Sequence, residues 1–251
     1  MIASLPMYDW PEVQADQDRY WQGVRDALGT GPATLTRGFT DYLAHWQRPD
    51  LMLSQTCGMP YRTRLHSHVT MVGTPDYGLP DNRAGYYHSV LVVNAQDDRD
   101  QLSDYTDDIF AYNEAGSQSG WAAPCAHIAA QGLHLTRPVA TGGHRASIKA
   151  VADGRAAMAA IDAVTWELAQ RFEPAARKLH VLARTAPTPG LPYICARAQD
   201  PVPLRRAIGQ AIASLAPDSR AALMLQGLCA IPAAEYLAVP TPPVPGEGAT
   251  R

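Results

Sequence analysis

The sequence predicts an α/β protein of two lobes, each a mainly parallel sheet flanked by helices. Three observations carry this. Strand-like apolar runs alternate with amphipathic helical runs through most of the chain. Two stretches, 2–73 and 108–161, each read as a complete βαβ set. The chain has 251 residues, enough for two lobes around sizeable cores.

Taken in order, residues 2–7 are expected as the first strand. Residues 11–28 follow as a helix, with Val13, Tyr20, Trp21, Val24 and Leu28 on one face, Asp9 as N-cap and Pro11 inside the first turn. Residues 39–46 read as a second short helix, and 51–54 and 69–73 as short apolar strands. The segment 87–94 (YHSVLVVN) is the strongest strand, rich in β-branched residues. Further strands are expected at 108–112, 139–141, 158–161 and 179–183, separated by helices over 119–131, 144–153 and 164–172. Segments 87–94 and 179–196 would connect the two sheets, and the second holds the breaker cluster Ala186-Pro187-Thr188-Pro189-Gly190, which suits a hinge. Helices around 204–215 and 219–229 come next, and the proline-rich run 240–246 is expected to be extended. The lobes so defined are 1–87 with 187–238, and 88–186, followed by a tail at 239–251.

Composition narrows the function. Lys plus Arg number 21 against 24 Asp plus Glu, a net charge of -3 that lacks the basic stripe of a nucleic-acid binder. No apolar run approaches the ~20 residues of a membrane span. The first residues, Met1-Ile2-Ala3-Ser4-Leu5-Pro6, carry no basic and apolar regions of a signal peptide, so a cytoplasmic location is one expectation. Cys57, Cys125, Cys195 and Cys229 form no CxxC pair and are expected as reduced, mostly buried thiols. His66-Ser67-His68 offers two imidazoles to a metal, but no carboxylate or Cys completes the set, so neither metal nor other cofactor is expected.

The most informative segment is Asn113-Glu114-Ala115-Gly116-Ser117-Gln118-Ser119-Gly120, where a strand ends and a helix begins. Unpaired N–H groups and the helix dipole favour an anion there, and Ser117, Gln118 and Ser119 add donors without any Lys or Arg. The plain alternative is an ordinary Ser N-cap. A serine hydrolase elbow is disfavoured, since Gln118 stands at the centre of Gly116–Gly120 where G-x-S-x-G needs Ser. His144 follows Gly142-Gly143 at a second strand-to-helix turn, Asp162 ends the strand 158–161, and Tyr8 follows the first strand. Ligands of open α/β sheets bind outside the carboxyl ends of strands, where all of these fall. Tyr outnumbers Phe 11 to 3, which suits a wet cleft.

Four pieces together resemble the PhnD-like phosphate/phosphite/phosphonate-binding proteins of ABC transporters. They are Tyr87-His88-Ser89-Val90-Leu91-Val92-Val93, Ser117-Gln118-Ser119-Gly120-Trp121, Gly142-Gly143-His144-Arg145-Ala146-Ser147, and Val151-Ala152-Asp153-Gly154-Arg155-Ala156 running to Asp162. The resemblance implies a type II periplasmic-binding-protein-like fold with a two-stranded hinge, closing on its ligand. It also implies a periplasmic location and an ABC permease as partner. The binding residues it implies are Ser117, Gln118, Ser119, His144, Asp162 and Tyr87, with Tyr42 from Thr40-Asp41-Tyr42. Gln55-Thr56-Cys57-Gly58-Met59-Pro60-Tyr61 stands in place of an apolar-Phe-Gly-Pro segment, which adds Cys57 to the candidates.

Two functions follow. The first is a non-enzymatic binding protein for a small anionic or zwitterionic solute, with the Ser/His cradle on an anionic end and Asp162 and tyrosines, Tyr8 among them, on an ammonium end. The second is an enzyme or sensor on the same fold, with His144, Asp162 and Cys57 as acid/base groups.

Overall fold

The computed structural model describes residues 1–245. Strand β1 is Ile2–Ala3, much shorter than the expected 2–7. The last ladder bond is the Ser4 N–H to the Leu53 carbonyl at 2.9 Å, and Pro6 has no N–H to extend it; the Ser4 hydroxyl meets His45 and Ser54. A 3₁₀ turn over Pro11–Val13 leads into α1, Gln14–Leu28. Asp9 does not cap it, because that carboxylate is held by Arg37 in a bidentate pair at 2.6 and 3.0 Å. The helix ends at Gly29, left-handed at φ 73°, whose N–H returns to the Arg25 carbonyl.

Helix α2 is Tyr42–Trp46, starting later than expected because Asp41 caps it through the Ala44 N–H. Strand β2 (Leu51–Gln55), the single turn α3 (Gly58–Pro60), a π-type turn at Tyr61–Leu65 and strand β3 (Val69–Asp76) follow. Next come β4 (Tyr86–Tyr87) and β5 (Ser89–Asn94), then β6 (Ile109–Tyr112). After β6 a π-type turn over Gln118–Ala122 runs into α4, Ala123–Ala129. Then come β7 (Arg137–Ala140), α5 (His144–Ala152), β8 (Met158–Asp162), α6 (Ala163–Phe172) and β9 (Leu179–Arg184). Short strands β10 (Thr188–Pro189) and β11 (Tyr193–Ala196) precede α7 (Pro201–Ser214) and α8 (Pro217–Leu223). The expected helix over 219–229 breaks at Met224, left-handed at φ 57°, and its end is strand β12, Gly227–Cys229. Helix α9 is Ala233–Leu237.

The chain divides into two compact units, Met1–Tyr86 with Pro189–Ala238, and Tyr87–Thr188 with the segment from Val239 on. The first unit holds a sheet in the order β1-β2-β11-β3-β12. Strands β1 and β2 pair in parallel, while β11 is antiparallel to both β2 and β3, and β12 is antiparallel to β3. Its core gathers Trp46, Leu51, Tyr61, Ile194 and Tyr236. Helices α1 and α7 lie close, since a Cβ on Gly23 would stand 3.4 Å from the Ala211 Cβ.

The second unit holds a sheet in the order β7-β6-β8-β5-β9. Here β6 pairs in parallel with β7 and β8, and β5 is antiparallel to β8 and β9. Both sheets are therefore mixed. The segments expected to connect the sheets are mostly sheet members instead: β5 and β9 belong to the second sheet and β11 to the first. The reason is burial, because Val90, Leu91, Val92 and Val93 are all at most 2% exposed and need cover on both faces. Strands β4 and β10 pair as a two-stranded sheet of their own. Of the proline-rich tail, Val239–Pro245 groups with the second unit, and the expectation for Gly246–Arg251 lies outside the described residues. Among the described residues, no helix is long and apolar enough to cross a membrane.

Candidate functional site

In the second unit the parallel strands β6, β7 and β8 each end in a turn that opens a helix. The first two turns are stitched together: the Thr141 and Gly142 N–H groups donate to the Tyr112 and Asn113 carbonyls at 2.8 and 2.9 Å. Thr141 reinforces this through its hydroxyl, which donates to the Tyr112 carbonyl at 3.0 Å and lies 2.7 Å from the Ser147 hydroxyl. Two helix starts are thereby held side by side.

Ser117 caps the first start, its Oγ accepting the Gly120 N–H at 2.9 Å. The π-type winding of the next turn takes both the Trp121 and Ala122 N–H groups back to the Ser117 carbonyl. Gly120 is required here: a Cβ would stand 1.8 Å from Asn113 Oδ1. Ser119 then lies between its neighbours, with its Oγ 3.5 Å from Ser117 Oγ and 3.0 Å from His144 Nε2. Ser117, Gln118 and Ser119 are buried, whereas His144, the first residue of α5, is half-buried. The buried His144 Nδ1 has no hydrogen-bond partner of good geometry among the described residues. Burial of the ring lowers its pKa to about 4 against the smaller opposing pull of the Ala160 backbone, so the imidazole is neutral at pH 7.

The cradle is thus two serine hydroxyls and a neutral imidazole on the positive ends of two helices. The adjacent Arg145 donates to Glu173 at 3.1 Å.

Asp162 is buried at the end of β8, in register opposite Ser89. Its Oδ1 accepts the Val164 and Thr165 N–H groups at 2.8 and 3.0 Å, capping α6. Tyr87 is buried at the end of β4, one residue before His88, whose carbonyl accepts the Ala163 N–H. The remaining candidates, Tyr8, Tyr42 and Cys57, belong to the first unit. There Tyr8 is buried edge-on to Tyr77 with ring centroids 5.0 Å apart, and Cys57 is buried just after β2. Tyr42 opens α2 and is 39% exposed, packed between Phe39 and Trp46.

Several residues at these strand ends escape a reading by sequence. Tyr77 follows β3 and takes a hydrogen bond from the Gln55 amide at 3.0 Å. Ser89, 1% exposed, keeps a buried hydroxyl with no partner among the described residues. Thr185 accepts the Ser89 N–H at 3.0 Å. Tyr77 and Thr185 stand in no motif and are placed by strand register, while Ser89 lies inside the 87–93 piece without being singled out by it. His66 and His68 lie in an exposed turn where Ser67 pairs with His68, and no group of three His, Cys, Asp or Glu among the described residues could hold a metal. Burial pushes the Cys125 and Cys195 thiols up to about 12, far from a reactive thiolate.

A family model described as the periplasmic substrate-binding protein of phosphonate ABC transporters matches residues 51–235. The chain belongs to this family. It is the ligand-capturing component of a transport system rather than an enzyme, and the family is periplasmic. Solved structures agree on the type II periplasmic-binding-protein fold. PhnD1 from Prochlorococcus marinus, solved with methylphosphonate, is similar with a TM-score of 0.73 at 15% identity, over 94% of this chain and 93% of that one. XAC2383 from Xanthomonas citri, bound to chloride ion, gives 0.70 at 15% identity, over 95% and 96%. A binding-protein component of an ABC phosphonate transporter from Pseudomonas aeruginosa (PA3383) gives 0.69 at 15% identity, over 92% and 81%. At these identities the likeness speaks for the fold. No curated protein sequence matches the chain.

Proposed function

We propose that this family member captures a small phosphonate- or phosphate-like oxyanion on the cradle of Ser117, Gln118, Ser119 and His144. The observation that carries this is the placement of Ser119 Oγ within reach of both Ser117 Oγ and His144 Nε2, at two helix starts stitched together. Hydroxyl and backbone donors converging on positive helix ends favour an anion without neutralising it, and a neutral His144 supplies a donor or acceptor according to its tautomer. In this reading Tyr87 and Asp162 line the remainder of the second unit's share of the site. Tyr8, Tyr42 and Cys57, all in the first unit, are that unit's own candidates for ligand contact. Asp162 suits an ammonium group on a zwitterionic ligand, although its Oδ1 also caps α6. Closure would turn on a hinge at the crossings near residues 86–89 and 184–190, and the protein would deliver its ligand to an ABC permease from the periplasmic side.

Isothermal calorimetry against phosphate, phosphite, methylphosphonate and aminoethylphosphonate tests this; methylphosphonate comes first because the similar PhnD1 was solved with it. Saturable binding of at least one, weakened by Ser119→Ala, supports the assignment. Absence of heat with all four, from folded protein, sinks it.

A further inference from the structure

Strand β5 opens on Ser89, whose backbone is fully engaged with β9. Its N–H donates to the Thr185 hydroxyl at 3.0 Å, and its carbonyl accepts the Thr185 N–H at 3.0 Å. The side chain is not engaged. The Ser89 hydroxyl is buried, with the residue 1% exposed, and has no hydrogen-bond partner among the described residues. Such a group costs stability, because the hydration it loses on burial is not replaced. Native folds keep few of them, and each calls for a reason.

Register supplies one. Ser89 stands opposite Asp162 of β8, inside the second unit. The Ala163 N–H donates to the His88 carbonyl at 3.1 Å, which makes His88–Ala163 a bonded pair of the ladder. One step along, Ser89–Asp162 is therefore a non-bonded pair, and both Ser89 backbone groups turn to β9 instead. In non-bonded pairs the Cα atoms stand about 4.5 Å apart and the side chains come closest.

Opposed residues also share a face of the sheet. Counting by twos from Ser89 gives Leu91 and Val93, and from Asp162 gives Ala160 and Met158. These four lie in one core with Trp121, a residue of the turn that Ser117 caps. The hydroxyl and the carboxylate thus stand at the end of the face that carries the cradle's first helix start. The backbone of Ala160, two residues before Asp162, lies beside the His144 ring.

The chemistry of the pair selects what it can hold. An oxyanion beside the Asp162 carboxylate is repelled, whereas a proton-bearing group donates both to the carboxylate and to a lone pair of the Ser89 hydroxyl. Ser117 and Ser119 offer donors to an anion; Ser89 offers an acceptor beside a negative charge. We propose that Ser89 is a specificity-determining residue, its hydroxyl joining Asp162 in accepting hydrogen bonds from an ammonium group at the second end of an oxyanion ligand. This role rests on the anion-capture reading above, and it gives the burial of an unpartnered hydroxyl its reason.

Two measurements on full-length Ser89→Ala test it. In urea unfolding without ligand, the variant is expected to be as stable as the parent or more so, because an unpartnered buried hydroxyl has been removed. A clear loss of stability would show that the hydroxyl serves the fold and would overturn the proposal. Calorimetry then compares aminoethylphosphonate with methylphosphonate, which lacks the ammonium group. Ser89→Ala is expected to weaken aminoethylphosphonate about 10-fold, and at least about 5-fold more than it weakens methylphosphonate. Ser119→Ala, at the oxyanion end, is expected to weaken both alike. Equal losses for the two ligands in Ser89→Ala, or no loss for either, would overturn the Ser89 role and leave the cradle standing. So would a parent protein that binds other oxyanions but not aminoethylphosphonate. A folded parent that binds none of aminoethylphosphonate, methylphosphonate, phosphate and phosphite loses the cradle and the Ser89 role together.

Discussion

The same residue types, two serines and a histidine, form a cluster in each unit, and the proposed function gives the two clusters opposite roles. In the first unit Ser4 Oγ bridges His45 Nε2 and Ser54 Oγ, both at 2.8 Å, and the His45 ring stacks on Phe39 at 3.7 Å. That cluster ties the end of β1 to β2 and α2 and is closed by the fold: Ser4 and Ser54 are fully buried. In the second unit Ser117, Ser119 and His144 sit on two helix starts; among the described residues the His144 Nδ1 has no partner of good geometry, the Ala160 backbone lying nearby, and the Ser89 Oγ has none. A closed polar network braces a core, whereas an open one at positive helix ends is prepared for a ligand. What separates the brace from the proposed site is where the residues sit in the fold, not which residues they are.

The sharpest way to break the comparison is Gly120→Ala. The new Cβ would meet Asn113 Oδ1 at 1.8 Å and its backbone N at 3.3 Å, so the Asn113 side chain must swing away and the backbone give by a few tenths of an ångström. A loss of about 3 kcal/mol in denaturant unfolding, together with loss of anion binding, is expected. Unchanged stability would show that the turn has room the geometry denies.

Next comes pH. The His144 pKa falls from 6.5 when unfolded to about 4 when folded. Between those values the unfolded chain binds more protons, so the contribution is fully present above pH 6.5 and is lost as pH falls toward 4. Its ceiling is about 3 kcal/mol, taking 1.36 kcal/mol for each pKa unit. His144→Gln is expected to flatten that part of the pH–stability curve. An unchanged curve would refute the buried, neutral imidazole.

The paired substitutions Ser119→Ala and Ser4→Ala sharpen the contrast. Ser119→Ala should weaken oxyanion binding by about 1.5–3 kcal/mol, the usual worth of a hydrogen bond to a charged group, with little change in stability. Ser4→Ala should do the reverse, costing about 1–2 kcal/mol of stability by orphaning His45 and leaving affinity unchanged. Calorimetry and urea titration of both proteins decide it; matching profiles would dissolve the distinction. The smallest effect is expected from Asp41→Ala, which removes the cap on α2 and should cost about 1 kcal/mol in thermal unfolding, with the Ser117–His144 cradle untouched.

Much of the fold and of the cradle is legible in local sequence pattern. The strand 87–94 announces itself by its β-branched run, and the anion cradle by serines and glycine between a strand and a helix. Other features are not legible there. The partners of Ser4, His45 and Ser54, lie far along the chain, and the fate of Asp9 depends on Arg37, twenty-eight residues away. Tyr77 and Thr185 carry no motif, because their placement comes through register, which local pattern does not encode.

Local chemistry by itself determined most element types, the helix over 219–229 excepted, together with the family motifs and the absence of a cation between Ser117 and Ser119. These depend on spacing along the chain, which periodicity and capping preferences expose directly. Only the tertiary structure decided that β5 and β9 are core strands, that His144 meets Ser119 at 3.0 Å, and that Pro243 lies against Trp121. Each of these joins residues distant in sequence, through packing that the whole fold must complete before the contact exists.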